Sequence, residues 1–270
     1  MARRPLDVEL VRRGLIADRE QARLVIERGD VVVGGAPATN PSRLVAPEEA
    51  VAVAAPRSPF VGRGGEKLAA ALDHFGLGLV GARVVDAGSS TGGFTDCALQ
   101  AGAAKVVAVD VGRGLLHQRL LADPRVEVHE RTNFRHLRPG DLGALADVVV
   151  ADLSFISLLS VLDALLAVAR PAADLVWLVK PQFEAGHHEV TEGRGVITDP
   201  AVWHRVLSAV CGALDEREAA IMGLMTSPLR GADGNVEFLL HGRTPGHGRT
   251  VDADRTRRQV TDAVVEATRS

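Results

Sequence analysis

The stretch best suited to bind a cofactor runs from Val84 to Phe94 and reads Val-Val-Asp-Ala-Gly-Ser-Ser-Thr-Gly-Gly-Phe. A short apolar run ends in an acid, a glycine-rich turn follows, and the next residues continue in a pattern typical of a helix. Such a turn directs backbone N–H groups and the positive end of a helix dipole into one crevice. We therefore expect a cofactor site formed by Asp86, Gly88, Ser89, Ser90, Thr91, Gly92, Gly93 and Phe94.

Three kinds of cofactor site compete for this turn: a phosphate-binding loop, a dinucleotide site and an S-adenosylmethionine (AdoMet) site. The first is excluded, because it needs a lysine in Gly-x-x-x-x-Gly-Lys-[Ser/Thr] and none follows Gly92 and Gly93. The second is weakened, because Gly88 lacks the nearby second glycine that lets the backbone approach a pyrophosphate. Asp86 would repel a pyrophosphate, whereas AdoMet carries an ammonium and a sulfonium. The charge pattern therefore favours AdoMet and leaves a dinucleotide possible.

From Arg83 onward, strand and helix patterns alternate, which is typical of a parallel sheet with helices on both faces. We place strands at 83–87, 105–109, 126–129, 147–151 and 174–179. Ligands of such folds lie at the carboxyl ends of the strands, and an acid after the second strand commonly holds ribose hydroxyls. The residues expected to converge at that edge are Asp86, Gly88, Asp110 with its neighbour Val111, Asn133, Asp152 and Lys180.

Lysine is rare in this chain, and its positions bear on catalysis. Only three of the 31 basic residues are lysine, namely Lys67, Lys105 and Lys180. A lysine can lose its proton or present a compact ammonium, which an arginine cannot do. Lys180 ends the fifth predicted strand, whereas Lys105 leads into the second strand and fits a surface position.

The turn after the fourth strand bears on the methyl acceptor. It reads Asp-Leu-Ser-Phe from Asp152, where amino-group methyltransferases of bases commonly carry [Asp/Asn]-Pro-Pro-[Tyr/Phe], so an amino target is disfavoured. Glu237 is predicted at a seventh strand that pairs beside the fifth. Lys67, Asp152, Lys180 and Glu237 resemble, in type and order, the Lys-Asp-Lys-Glu tetrad of ribose 2′-O-methyltransferases related to the heat-shock protein FtsJ.

This resemblance implies roles for the four residues. A 2′-hydroxyl is a poor nucleophile, so a lysine flanked by carboxylates would orient it and help to remove its proton during in-line transfer. Lys180 is then the base or orienting group, and Asp152 is its electrostatic partner. Lys67 and Glu237 would support them.

The first 60 residues or so predict a small separate module of two helices and short strands. Residues 10–35 resemble the RNA-binding module named after ribosomal protein S-four, also called the alpha-L motif. Acids are nearly as numerous as arginines here, so charge alone does not predict a nucleic-acid surface. The resemblance implies arginines near phosphates, and the candidates are Arg4, Arg12, Arg13, Arg19, Arg23, Arg28 and, beyond the module, Arg63.

The chain as a whole is similar to the TlyA family, which carries both hemolysin and ribosomal RNA 2′-O-methyltransferase names. The similarity covers about residues 5–242 and is carried by residues 63–68, 86–95, 108–112, 130–133, 150–157, 179–184 and 227–229. It implies AdoMet-dependent methylation of cytidine in rRNA of one or both ribosomal subunits. The chain departs from the family at 57–60, where an Arg-x-Trp that couples the domains is replaced by Arg-Ser-Pro-Phe.

We therefore expect a Rossmann-like α/β methyltransferase fold with a mostly parallel, seven-stranded, doubly wound sheet and a small N-terminal α+β domain. The expected division is an RNA-binding domain at 1–58, a linker at 59–66, a methyltransferase domain at 67–242 and a partly helical tail at 243–270.

Composition limits the alternatives. The net charge of −3 gives no bulk attraction to nucleic acid, so RNA must be met by a local patch. No signal peptide, apolar membrane run or metal-ligand spacing is found, which predicts a cytoplasmic protein without a metal. Two other hypotheses stay open: a membrane-active hemolysin, and an RNA-binding protein with a degenerate cofactor fold.

Overall fold

The computed structural model describes residues 3–53, 58–246 and 253–269, and the chain divides into two compact units, Met1–Ser58 and Pro59–Ser270. The first unit has two helices and two small antiparallel sheets, of order β1-β4 and β3-β2-β5. In chain order its elements are β1 (Arg4–Pro5), α1 (Leu6–Arg12), α2 (Arg19–Glu27), β2 (Val31–Val33), β3 (Ala36–Ala38), β4 (Leu44–Val45) and β5 (Val51–Val53).

The first unit has its own apolar core. Helix α2 begins after Asp18, whose side chain caps the helix by accepting a hydrogen bond from the backbone N–H of Gln21 at 2.9 Å. Ala22 and Ile26 lie four residues apart on one face of α2 and pack with Leu6 and Leu10 of α1. The core is small, as expected for a unit of this length.

The second unit consists of one seven-stranded sheet with helices around it. Its elements are α3 (Gly64–Phe75), β6 (Arg83–Ala87), α4 (Gly93–Gln100), β7 (Lys105–Val109), α5 (Gln118–Leu121), β8 (Val126–His129), β9 (Ala146–Ala151), α6 (Leu162–Ala167), β10 (Ala169–Val179), α7 (Pro181–Glu184), α8 (His187–Glu192), α9 (Pro200–Asp215), β11 (Ala220–Thr226), β12 (Phe238–Arg243) and α10 (Ala253–Ala267).

The sheet has the order β11-β12-β10-β9-β6-β7-β8, and the five strands from β10 to β8 run parallel. Strand β12 pairs antiparallel with β10, as predicted for the seventh strand. Successive residues of β6 face opposite layers, because side chains alternate along a strand. Val84 packs in the cluster with α3 and α4, and Val85 packs in the cluster on the other face. The predicted mostly parallel, doubly wound sheet is confirmed.

Two predicted boundaries are wrong. Helix α3 begins at Gly64, so residues 64–66 belong to it rather than to a linker. Val61 is also held by the second unit, since its N–H donates to Oδ2 of Asp96 at 2.8 Å. Strand β10 begins at Ala169 and not at 174, with a register irregularity between those positions. Arg57, part of the segment where the chain departs from the family, lies outside the described residues.

Candidate active site

The four residues of the predicted tetrad line one cavity of about 260 Å³. Asp152 directly follows β9, Lys180 follows β10, and Lys67 lies in the first turns of α3. Glu237 directly precedes β12; because that strand is antiparallel to β10, its first residues lie at the same sheet edge as the end of β10. The other lining residues are Arg63, Gly64, Gly88, Ser89, Ser90, Thr91, Gly93, Phe94, Ser154 and Gly231.

The lysines and acids of this cavity form two ion pairs. Nζ of Lys180 lies 2.7 Å from Oδ1 of Asp152 and donates a hydrogen bond to Oγ of Ser154 at 2.8 Å. Nζ of Lys67 pairs with Oε2 of Glu237, a residue 170 positions away in the chain. Both lysine side chains are nearly buried, and a buried charge without a partner would be strongly destabilising. Each lysine therefore depends on its carboxylate to stay in place.

Asp86 lies beneath the glycine-rich turn and is not among the residues that line the cavity. It shares a face of β6 with Val84, so α4 covers it and its exposure is 0%. Thr95 Oγ1 donates to its Oδ2 at 2.6 Å, while Oδ1 is buried without a hydrogen-bond partner in the described part of the chain. Burial raises the pKa of Asp86 to about 7, although the hydrogen bond from Thr95 acts to lower it.

The glycines of the turn allow it to pack closely against neighbouring segments of the protein. A Cβ on Gly88, whose φ is +83°, would lie 2.6 Å from the backbone oxygen of Asp152. A Cβ on Gly93 would lie 2.8 Å from the backbone nitrogen of Gly65. Gly92, at φ +97°, would likewise collide with a leucine side chain. Glycine is required because the turn packs tightly against neighbouring segments.

The backbone N–H groups of the turn are also largely used within the protein. The N–H groups of Gly88 and Ser89 donate to the carbonyl of Val109 at 2.9 and 3.2 Å. Ser90, at φ +48°, donates to Oδ2 of Asp110 at 2.8 Å. A pyrophosphate would need such donors free, so the turn is a poor dinucleotide site.

The remaining predicted cofactor residues lie outside the cavity lining. Asp110 is tied to the turn through Ser90, and its Oδ1 accepts the N–H of Gly112 at 2.7 Å. Val111 is exposed, and Asn133 caps a 3-10 turn by accepting the N–H of Arg135 at 3.0 Å. Gly92 also does not line the cavity.

An aromatic pair near the paired lysine was missed by sequence reasoning. Phe155 is 92% exposed, at φ +62°, a backbone conformation that is unfavourable for a residue with a bulky side chain. Its ring centroid lies 5.4 Å from that of Phe183, and Nζ of Lys180 lies 5.8 Å from the Phe183 centroid. The signal was present in the sequence, since both phenylalanines stand three residues after a tetrad member in a chain without tyrosine.

A carboxylate links the segments that follow β9 and β10. Glu184 of α7 accepts hydrogen bonds from Oγ of Ser157 at 2.5 Å and from the N–H of Leu158 at 2.6 Å. Burial raises the pKa of Glu184 above its usual value, against the effect of these hydrogen bonds. Glu184 thereby links the segment after β10 to the loop after β9.

The candidate RNA-contact arginines have different surroundings. Arg4 is exposed on β1, and Arg63 is exposed at the cavity. Arg12 pairs with Glu9, and Arg28 pairs with Asp30 at 3.0 Å. Arg19 and Arg23 both pair with Asp7.

Arg13 is the exception among these arginines. Its guanidinium donates to Glu9 and to the backbone carbonyls of Ala46, Pro47 and Glu49, and its side chain is only 19% exposed. This geometry does not support the predicted phosphate contact and gives Arg13 a structural role in the first unit.

Two kinds of site are absent from the residues that the structure describes. Within 3–53, 58–246 and 253–269, no three His, Cys, Asp or Glu side chains are grouped to hold a metal ion. In the same ranges, no helix combines the length and apolar character needed to cross a membrane.

Comparison with known proteins agrees with this architecture. The FtsJ-like methyltransferase family matches residues 60–244, and the S4 domain family matches residues 4–51. The 16S/23S rRNA (cytidine-2′-O)-methyltransferase TlyA of Mycobacterium tuberculosis is 48% identical over 90% of this chain and 91% of its own length. YqxC of Bacillus subtilis, named as an rRNA methyltransferase, is 42% identical over 90% of this chain and 86% of its own.

A solved structure gives the same result. A Streptococcus thermophilus protein named as a hemolysin matches with a TM-score of 0.73 and 35% identity, over 100% of this chain and 98% of its own. Sequence, domain order and fold therefore agree, and the chain belongs to the TlyA family, in which an S4 domain precedes an FtsJ-like methyltransferase domain.

Proposed function

We propose that this protein methylates the ribose 2′-hydroxyl of a cytidine in ribosomal RNA, with AdoMet as the methyl donor. The observation that carries the proposal is the pair of buried Lys–carboxylate contacts, Lys180 with Asp152 and Lys67 with Glu237, at the carboxyl edge of an FtsJ-like sheet. The rRNA methyltransferase names of two relatives support the substrate.

The surroundings of the turn fit AdoMet. Oδ1 of Asp86 is a buried carboxylate oxygen without a partner among the described side chains, which suits a group that carries positive charge. Asp110 keeps lone pairs beyond its two backbone contacts and would hold ribose hydroxyls. The turn from Gly88 to Phe94 would hold the rest. When bound, AdoMet supplies a methyl group activated by the sulfonium.

The residues around Lys180 suit the activation of a hydroxyl. Asp152 and Ser154 fix its Nζ in the cavity, so a ribose oxygen there would meet a positioned nitrogen. As a neutral amine, Lys180 would accept the 2′-proton; as an ammonium, it would donate to the oxygen and stabilise its developing negative charge. Lys67 and Glu237 would hold the opposite wall of the site.

The aromatic pair suits a nucleotide target. Phe155, two residues after Leu153 in the loop, exposes a ring face to solvent. A base turned out of the RNA could stack on this ring. Arg63 at the cavity could meet the adjoining phosphate. The S4 match to residues 4–51 supports RNA binding by the first unit.

Substitution of Lys180 tests the proposal. Lys180→Ala should reduce transfer of labelled methyl from AdoMet to rRNA by at least ~100-fold, while AdoMet binding measured by calorimetry stays near wild type. Lys180→Arg keeps the charge but cannot act as a base. Partial activity in the arginine variant would favour the orienting role, and activity as low as in the alanine variant would favour the base.

Lys105→Ala is the matched control, because Lys105 forms an ion pair with Glu127 on β8 and does not line the cavity. Unchanged turnover of Lys180→Ala would contradict the assignment. Absence of AdoMet binding in the wild-type protein would instead favour a degenerate cofactor fold.

A further inference from the structure

The first unit contains three nearly buried carboxylates, and each is paired with arginines that reach the surface. Asp7, Glu9 and Asp30 are 2%, 1% and 7% exposed. Buried acids normally destabilise a small domain unless they are paired, and here the partners are among the candidate RNA contacts. The pattern indicates that these acids do more than neutralise charge.

We propose that Asp7 is a positioning residue that holds Arg19 and Arg23 side by side as a clamp for the RNA phosphate backbone. This inference rests on the proposed RNA-binding role of the first unit and adds the residue that organises the contact. The ligand class is a polyanion with phosphates at fixed spacing, and the clamp provides affinity without reading sequence.

Both guanidinium groups converge on one oxygen. Oδ2 of Asp7 accepts hydrogen bonds from Nη2 of Arg19 at 2.8 Å and from Nε of Arg23 at 3.0 Å. Oδ1 of Asp7 instead accepts the N–H of Val8 at 2.8 Å, which fixes the carboxylate at the start of α1. Burial acts to raise the pKa of Asp7, but the two arginines outweigh it and hold the pKa below its usual value.

The contacts of Arg19 and Arg23 with Asp7 leave some of their N–H donors free to meet a ligand. Arg23 uses only Nε on Asp7, so in the described part of the chain both of its terminal nitrogens are without a protein partner. Nη1 of Arg19 likewise has no protein partner in the described part of the chain. The side chains of Arg19 and Arg23 are 56% and 57% exposed. Arg19 and Arg23 are four residues apart on α2 and line one groove with Glu20 and Leu24.

Asp7 thus reduces the conformational freedom of two long side chains before RNA arrives. Ordering of such side chains is a cost of binding that a preformed arrangement avoids. Arg13 shows the contrasting case, because its nitrogens are all spent on Glu9 and on backbone carbonyls. The two carboxylates therefore create two different arginine states, one presented outward and one locked inward.

Asp7→Asn in the full-length protein separates positioning from charge. Removing a negative charge beside an RNA surface should strengthen binding if charge alone mattered. We expect the opposite: the Kd for an rRNA fragment, measured by fluorescence anisotropy at fixed salt, should rise by about tenfold, which corresponds to ~1.4 kcal/mol. In an Arg19→Ala/Arg23→Ala background, the same substitution should have no further effect on Kd.

Two variants make the test decisive. Glu27→Gln is the charge control. Because Glu27 is exposed on α2, this substitution removes the same charge without touching an arginine. It should not weaken RNA binding. Arg19→Lys/Arg23→Lys keeps the charge but loses the planar fork, and it should weaken binding by a similar factor even if Asp7→Asn fails to fold.

Equal or tighter binding by a folded Asp7→Asn protein overturns the inference, as does wild-type affinity of the double lysine variant. RNA binding is read here without methyl transfer. A wild-type protein that binds rRNA but does not methylate it would therefore contradict the proposed activity alone.

Discussion

Asp86 places a carboxyl group in a fully buried site where Thr95 bonds only one of its oxygens. Such a group is costly when ionised, so its protonation state is linked to folding. Burial raises its pKa in the folded protein to about 7 from a reference value of 3.8. A bound cation beside Oδ1 would favour the ionised form, which joins cofactor binding to the same equilibrium.

Asp86→Asn should reveal this linkage in the cofactor-free protein. Because the folded pKa is above the unfolded value, the stabilisation that the proton provides is fully present below about pH 4 and is lost as the pH rises to about 7. Across that range, the melting temperature of the wild type should fall relative to that of the variant and then level off. The corresponding loss in the free energy of unfolding is at most ~4 kcal/mol. A difference that does not vary with pH would show that folding leaves the pKa of Asp86 unchanged.

The loop after β9 carries the residues on which the proposed nucleotide site depends. It carries Asp152, Ser154 and the exposed Phe155 in four residues, and Glu184 fastens it to the segment after β10. The left-handed backbone of Phe155 is unfavourable for an aromatic residue and is held by these surroundings. Strain and exposure together are the basis of the proposed stacking of a base on this ring.

Phe155→Ala should lower kcat/KM for rRNA by about tenfold to ~100-fold, because stacking of a base on an aromatic ring contributes ~1–3 kcal/mol. AdoMet affinity by calorimetry should be little changed. Val80→Ala is a fitting control, since Val80 is 87% exposed and precedes β6 at the opposite end of that strand. Loss of activity in both variants to the same extent would argue against a stacking role.

The protein consists of two units with separate cores, and the matches to the S4 and FtsJ-like families fall one on each. We propose residues 1–58 as the RNA-binding domain and the rest as the catalytic domain. The helix α10 packs against β11 and α9, so the tail after 243 completes the second unit in the described residues.

Deletion of residues 1–58 should leave AdoMet affinity close to that of the full-length protein, because the cavity is built from the second unit. Affinity for rRNA should fall by at least about tenfold, or ~1.4 kcal/mol. Filter binding and calorimetry on the two forms measure both quantities. An unchanged RNA affinity would remove the first unit from substrate recognition.

The sequence by itself determined the fold class, the bounds of three strands and the family. Alternation of apolar residues and a strand–glycine–helix pattern are local signals, and they placed β6, β7 and β8 at the bounds that the structure has. The order Lys, Asp, Lys, Glu could be recognised by resemblance. The sequence also places Phe155 in the turn after the fourth predicted strand, but it does not predict that the side chain is exposed.

Only the tertiary structure decided which groups meet and how deeply they lie. Lys67 and Glu237 are far apart in the chain and become partners because β12 returns antiparallel beside β10. Asp86 is buried because α4 covers its face of β6, and Gly88 is required because the segment after β9 packs against it. Burial and pairing depend on segments distant in sequence, and local periodicity contains no information about them.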